Sequence, residues 1–285
     1  MQAGGKMKGF LAINNFLHGE KYDILHNSLV KSAKNFGCEL KTKTNQELIF
    51  ESETPDFVLF WDKDTNVARM LENKGVPVFN SAKSIALCDD KAKTYIALDG
   101  KVKQPKTIIA PMSFFKADYG EFVDSAALIL KYPLVFKECF GSFGQQVYLC
   151  KNRADVLSHI TEKPFILQEF IAEANGSDVR IEVVDGKCVA AMKRTNKNDF
   201  RSNITNGGTA EIYAPSDEEK ALAVKACDIL GLTFGGCNVN ARVDIIGGDS
   251  VCEVNSNAHI INLKECTGID IAPMIFEAIE KRINK

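Results

Sequence analysis

No stretch of this chain approaches the roughly 20 apolar residues needed to span a bilayer, and its start lacks a signal-peptide pattern. Neither a membrane partner nor export is therefore expected. A basic excess is missing too: 35 Lys and Arg stand against 37 Asp and Glu, a formal net charge of −2, which argues against nucleic acid as a partner. The nine cysteines, an odd number, contain no Cys-x-x-Cys pair, and the four histidines (His18, His26, His159, His259) have no zinc-ligand spacing. Most of the thiols, such as Cys188, Cys237 and Cys252, sit among apolar neighbours and read as buried free thiols of a cytoplasmic protein. With 285 residues, 45% of them hydrophobic, the chain can bury a core as one large domain or two smaller ones. Met1 to Lys6 are Gly-rich, precede a second methionine at Met7, and are left outside the fold.

The first third reads as an α/β unit. Gly9 to Ile13 is a short strand, and Tyr22, Leu25, Leu29, Ala33 and Phe36 recur at helical steps up to a stop at Gly37. Phe57 to Trp61 is an apolar run, as expected of a strand buried on both faces of a parallel sheet. A helix from Val67 to Lys74, ended by Gly75, leads to the strand Pro77 to Phe79. Strands alternating with helices imply parallel βαβ units. The pattern changes around Asn80, and one helical stretch from Ala82 to Leu98 runs into Pro105. The N-terminal unit is assigned to residues 7–88 and a second unit to 89–285.

The second unit reads as antiparallel strands joined by turns. The strand Pro133 to Lys137, the turn Gly141-Ser142-Phe143-Gly144 and the strand from Val147 can fold over phosphates, with backbone N–H groups and an ammonium facing the anion. This is no Walker A loop, because Gly-Lys-Ser/Thr and a following helix are missing, and it does not match Gly-x-Gly-x-x-Gly. An ordinary hairpin is the alternative. Phe165 to Ile171 is a further strand. Asp178–Val184 and Lys187–Arg194 flank Asp185-Gly186, a hairpin signal. Asp178, Arg180 and Glu182 share one strand face, either solvated or lining a polar cleft. The basic segment Lys193 to Asn203 is either a surface loop or an anion-gripping one.

Near the C-terminus two short β-prone runs flank Gly247-Gly248-Asp249-Ser250. A turn over those residues pairs Ile246 with Val251, Ile245 with Cys252 and Asp244 with Glu253, and Asn255 shares the face of Glu253. Opposed like charges are destabilising unless a cation lies between them, and such hard oxygen ligands suit Mg²⁺. A solvent-facing hairpin with incidental acids is the bland alternative.

The order of these features resembles the ATP-grasp superfamily and, within it, the RimK-type amino-acid ligases. The residues that carry the likeness are Asp90-Lys91, Lys137, Gly141 to Gly144, Gln168-Glu169-Phe170-Ile171, Gly176 to Arg180, Asp199 to Asn203, Gly207-Gly208, Glu253-Val254-Asn255 and Thr267 to Asp270. The resemblance implies an α/β N-terminal domain followed by an α+β ATP-grasp fold whose two subdomains clamp ATP, with 106–170 as the smaller lid. It implies an ATP-dependent ligase joining a small-molecule or peptide carboxylate to an amino-acid amine such as glutamate through an acyl phosphate.

By the same resemblance, Lys91 and Lys137 contact phosphates beneath a flap carrying Gly141, Ser142 and Gly144. Gln168, Glu169, Phe170 and Ile171 form the adenine-side strand, and Asp178 lies towards the ribose. Arg201, Asn203 and Lys137 act beside the transferring phosphoryl group. Asp244, Glu253 and Asn255 hold Mg²⁺ or Mn²⁺, with Asn238 an alternative for the first position. Arg180 and Arg194 are weaker candidates for a substrate carboxylate. The resemblance leaves self-association open, and it leaves room for a D-alanine–D-alanine or glutathione-synthetase type of ligase or a non-catalytic nucleotide-binding module.

Overall fold

The computed structural model describes residues 7–232 and 239–284. The first sheet contains β1 (Lys8–Ile13), β2 (Glu39–Thr44), β3 (Phe57–Phe60) and β4 (Val78–Phe79), ordered β2-β1-β3-β4 and parallel throughout. β3 is buried at every position, which is why it reads as an unbroken apolar run. β2 gives no such signal because only Leu40 of its six residues is buried. The helix Glu20–Asn35 carries Glu20 and Asp23 in its first turn, where the helix dipole favours anions, and buries Leu25, Leu29 and Ala33. The stretch from Ala82 to Leu98 is two helices rather than one. Asp90 ends Ala82–Asp89 in an extended conformation, and its side chain caps Lys91–Leu98 by accepting from the Ala92 and Lys93 amides.

The second sheet, ordered β5-β8-β6-β7, consists of β5 (Thr107–Ile109), β6 (Leu134–Glu138), β7 (Val147–Cys150) and β8 (Phe165–Glu169) and is antiparallel. β8 stops at Glu169, two residues short of the expected Ile171. This sheet has its own core around Val123, Leu130, Phe136 and Phe165, with the last two rings stacked 4.9 Å apart. The third sheet, ordered β11-β10-β9-β12-β13, comprises β9 (Ser177–Val184), β10 (Lys187–Thr195), β11 (Thr209–Ile212), β12 (Asn240–Ile246) and β13 (Ser250–Asn255), also antiparallel.

Asp244 faces Glu253 as expected, but the turn is one residue shorter than expected. Ile246 pairs with Ser250 and Ile245 with Val251, which leaves Cys252 as the extra residue of a β-bulge. The expected Ile246–Val251 and Ile245–Cys252 pairs do not form.

The first and third sheets share a core. The helix Ala272–Ile283 buries Ile275, Phe276 and Ile279 in a cluster containing Leu29, Leu59, Val184 and Met192. Asn80, 1% exposed, ties the same two units: its Nδ2 donates to the Asn240 and Ser256 carbonyls at 2.8 and 2.6 Å, and its Oδ1 accepts from the Val239 amide at 2.8 Å. Asn80→Ala removes a partner from three buried backbone groups. The expected loss is about 2–3 kcal/mol, read as a lowered urea midpoint at unchanged m-value.

Candidate active site

A cavity between the second and third sheets is lined by Lys91, Lys137, Gly141, Ser142, Gly144, Gln168, Glu169, Phe170, Ile171, Asp178, Arg201, Asn203, Asp244 and Glu253. Asn255 is set apart from these on a second, adjoining cavity, which Glu253 also lines. Asn238 lies outside the described residues.

Several of the residues expected to contact phosphate meet the turn between β6 and β7. Lys91 begins a capped helix, and its Nζ donates to the Gly141 carbonyl at 3.4 Å. Arg201 is oriented by Asp199, which accepts from its Nε and NH2 and holds its pKa up, and its NH1 donates to the Gly144 carbonyl at 2.7 Å. Gly144 has φ +71°, and a Cβ there would come within 2.6 Å of Asn203 Oδ1, so the close approach of flap and loop requires glycine. From the N-terminal side, Lys63 Nζ donates to Ser142 Oγ at 3.2 Å and Lys21 Nζ lies 4.3 Å from the Phe143 ring centroid. Lys137, 8% exposed, donates only to Cys252 Sγ at 3.6 Å and has no carboxylate partner among the described residues. A nearly buried ammonium with a thiol as its single partner is a site for an anion. The bulge at Cys252 brings that thiol beneath it. Burial raises the Cys252 pKa, and Lys137 opposes the shift.

The floor is a set of cross-strand ion pairs. Asp178 faces Arg194, Arg180 faces Asp244 and Glu182 faces Arg242 in register, and each pair is also bonded through its side chains. Arg180 grips Asp244 with Nε and NH2 at 2.7 and 2.6 Å, and Arg194 NH2 adds a third bond at 3.0 Å. Burial acts to raise the Asp244 pKa, but Arg180 and Arg194 outweigh it and hold the carboxyl well below the usual range. Arg194, 3% exposed, spends its Nε and NH2 on Asp178 and Asp244, so it is committed to the floor.

The charge opposition of Asp244 and Glu253 is thus relieved by guanidinium groups, without a metal. The fit to a metal rests instead on Glu253 and Asn255, whose side chains make no hydrogen bond or ion pair among the described residues. Asp244 keeps one free lone-pair position on Oδ1. Among the described residues no three His, Cys, Asp or Glu groups cluster as metal ligands. The donor set is two carboxylates and an amide, all oxygen, which fits a hard cation that keeps several waters.

The second cavity, about 620 Å³, lies between the N-terminal unit and the third sheet and shares Ser142, Phe143, Asn203 and Glu253 with the first. Its other walls include Asn257 and His259, from the loop after Asn255 that the sequence suggests approaches the substrate, and Phe16, Lys21, His26, Trp61, Asp62 and Arg242, which the sequence patterns did not single out as site residues. A usable signal existed: Trp61-Asp62-Lys63 follows the carboxyl end of a parallel strand, where open α/β sheets bind ligands. Burial lowers the His26 and His259 pKa values, so both imidazoles tend to be neutral.

Residues 83–279 match the RimK-like ATP-grasp domain. The chain is 37% identical to a probable alpha-L-glutamate ligase of Vibrio atlanticus, over 76% of its own length and 71% of the relative's. It is 35% identical to an uncharacterized protein of Mycoplasma pneumoniae, over 76% and 77% of the two chains. In structure it resembles D-alanine–D-alanine ligase from Bacillus anthracis complexed with ATP, with a TM-score of 0.75 at 17% identity across 99% of both chains. It also resembles a RimK domain ATP-grasp protein from Sphaerobacter thermophilus, with a TM-score of 0.71 at 19% identity across 95% and 98%. The chain belongs to the RimK-like ATP-grasp family. It is an ATP-dependent carboxylate–amine ligase, and the acyl-phosphate route is general to that family. No helix among the described residues is long and apolar enough to cross a membrane.

Proposed function

We propose that ATP lies in the first cavity with its phosphates towards Lys91, Lys137 and Arg201, and that the ligase adds glutamate, as the amine, to an acid held in the second cavity. The observation that carries this reading is that one cavity is lined both by the nearly buried Lys137 ammonium, which has no carboxylate partner, and by the Glu253 carboxylate, which has no hydrogen bond or ion pair among the described residues. The first cavity has a free volume of about 130 Å³, less than the roughly 300 Å³ of a small ligand pocket, so the flap opens to admit nucleotide. Residues 106–170 form the lid subdomain that moves with the flap.

In this scheme the acid's oxygen attacks the γ-phosphorus, ADP leaves, and the amine displaces phosphate from the acyl phosphate. Lys137, Lys91 and Arg201 counter the charge that develops on the transferring group, and Asn203 and Ser142 orient it. Gln168 to Ile171 run along the adenine and Asp178 lies towards the ribose. Mg²⁺, or Mn²⁺ in its place, held by Glu253, Asn255 and the free Oδ1 position of Asp244, would neutralise phosphate charge. A closed flap keeps water from the acyl phosphate. The buried thiols of Cys38, Cys88, Cys139, Cys150 and Cys227 suit a reducing compartment, and we assign the ligase to the cytoplasm.

The amine assignment is tested by offering each common amino acid in turn with Mg-ATP and a panel of acids. Glutamate is expected to give the highest kcat/KM, and another amine in first place would remove it.

A further inference from the structure

We propose that the corner Trp61–Asp62 anchors a free ammonium group, which makes the acid substrate an α-amino acid or a peptide presenting its own amino end rather than a simple carboxylic acid. This inference rests on the reading that the second cavity takes the acid.

Asp62 is 7% exposed and Trp61 8% exposed, and both line that cavity. One oxygen of Asp62 is fully used: Oδ1 accepts from Asn14 Nδ2 at 3.0 Å and from the Lys63 amide at 2.7 Å. Its other oxygen, Oδ2, is buried without a partner, and so is the Trp61 indole Nε1. Two buried, unpaired polar atoms on neighbouring residues are costly unless something supplies their hydrogen bonds. One is an acceptor on a carboxyl whose pKa burial pushes up, an effect that a cationic partner opposes, and the other is a donor. A ligand that satisfies both must offer a donor, best a cationic one, close to an acceptor oxygen. The α-ammonium of an amino-acid residue and its own carbonyl oxygen are such a pair, which leaves a side-chain carboxyl, or the C-terminal carboxyl of a peptide, to meet the phosphates.

The surroundings agree. The corner is held rigidly, since Asn257 Nδ2 donates to the Asp62 carbonyl at 2.6 Å and the Trp61 amide donates to the Ala12 carbonyl at 2.9 Å. The cavity meets the nucleotide cavity at Ser142, Phe143, Asn203 and Glu253, so a ligand anchored at Asp62 extends towards the phosphates. The bulk of the cavity, about 620 Å³, leaves room for a large side chain or a second residue.

The test compares ADP formation, with hydroxylamine as the nucleophile, for L- and D-amino acids and dipeptides, their N-acetyl derivatives and the matching acids that lack the amino group. Wild-type protein is expected to favour a free amino compound over its acetylated and deaminated forms by roughly a hundredfold or more in kcat/KM. Asp62→Asn is expected to lower kcat/KM for that compound by roughly ten- to a hundredfold while KM for ATP stays unchanged, and to shrink the preference over the blocked forms. Trp61→Phe keeps the ring, removes the donor and provides a second reading if Asp62→Asn folds poorly; a several-fold loss confined to the acid substrate is expected. Wild-type turnover that is indifferent to acetylation or deamination, or an equal loss for all three forms in both variants, overturns the inference and leaves the ligase assignment standing. Absence of ADP and hydroxamate with every acid overturns the cavity reading and this inference together.

Discussion

Glu253→Gln is expected to lower kcat by roughly a hundred- to a thousandfold, the effect of losing a metal-held phosphate charge worth several kcal/mol. The substitution keeps the shape of the side chain and removes its charge. Glu253 stands opposite Asp244 on β12 and has no partner of its own among the described residues, so a structural role predicts nothing for this change. Melting temperature should therefore stay within a degree or two of wild type or rise slightly, because one of two facing carboxylates is gone. Raising Mg²⁺ should recover part of the rate if the variant binds metal weakly. Normal turnover by Glu253→Gln at ordinary Mg²⁺ would remove Glu253 from the metal site.

Arg242→Met is expected to destabilise the protein by about 3–5 kcal/mol, because it leaves Glu182, 0% exposed, as a buried charge without its partner. Burial raises the Glu182 pKa and lowers that of Arg242, with the attraction of each partner opposing the shift. A pair taken out of water in this way often recovers only part of its desolvation cost. The double variant Arg242→Met/Glu182→Leu should consequently regain most of the lost stability, with a melting temperature close to wild type. Thermal unfolding of the wild type and the two variants distinguishes this from a pair that is net stabilising, for which the double variant would stay as low as the single one. Arg242 also lines the second cavity, so the double variant should remain folded yet lose affinity for the acid.

Local periodicity made much of the framework legible. The Phe57 run, the helix stopped at Gly37 and the facing of Asp244 and Glu253 all follow from side-chain alternation over a few residues. The bulge at Cys252 did not follow, since β-prone residues on both sides of a glycine turn permit more than one register. The break at Asp90 was hidden because the flanking segments are both helical, although an Asp before Lys-Ala-Lys is a usable capping signal. For the site, the row Asp178, Arg180, Glu182 was visible on one strand, but its partners Arg242 and Asp244 lie some sixty residues away and only strand pairing brings them opposite. Trp61 was absorbed into the end of a buried strand and Asp62 lies just beyond it, and their unpaired polar atoms are a property of the packed structure alone.

The measurement that tests the central claim most directly is turnover of Mg-ATP in the presence of hydroxylamine and a panel of acids and peptides, with ADP, AMP and hydroxamate read by mass spectrometry. An acyl-phosphate ligase gives ADP together with the hydroxamate of one acid, and that acid is named in the same run. AMP with the hydroxamate would instead mean adenylation of the acid and would contradict the mechanism built on Lys91, Lys137, Arg201 and Glu253.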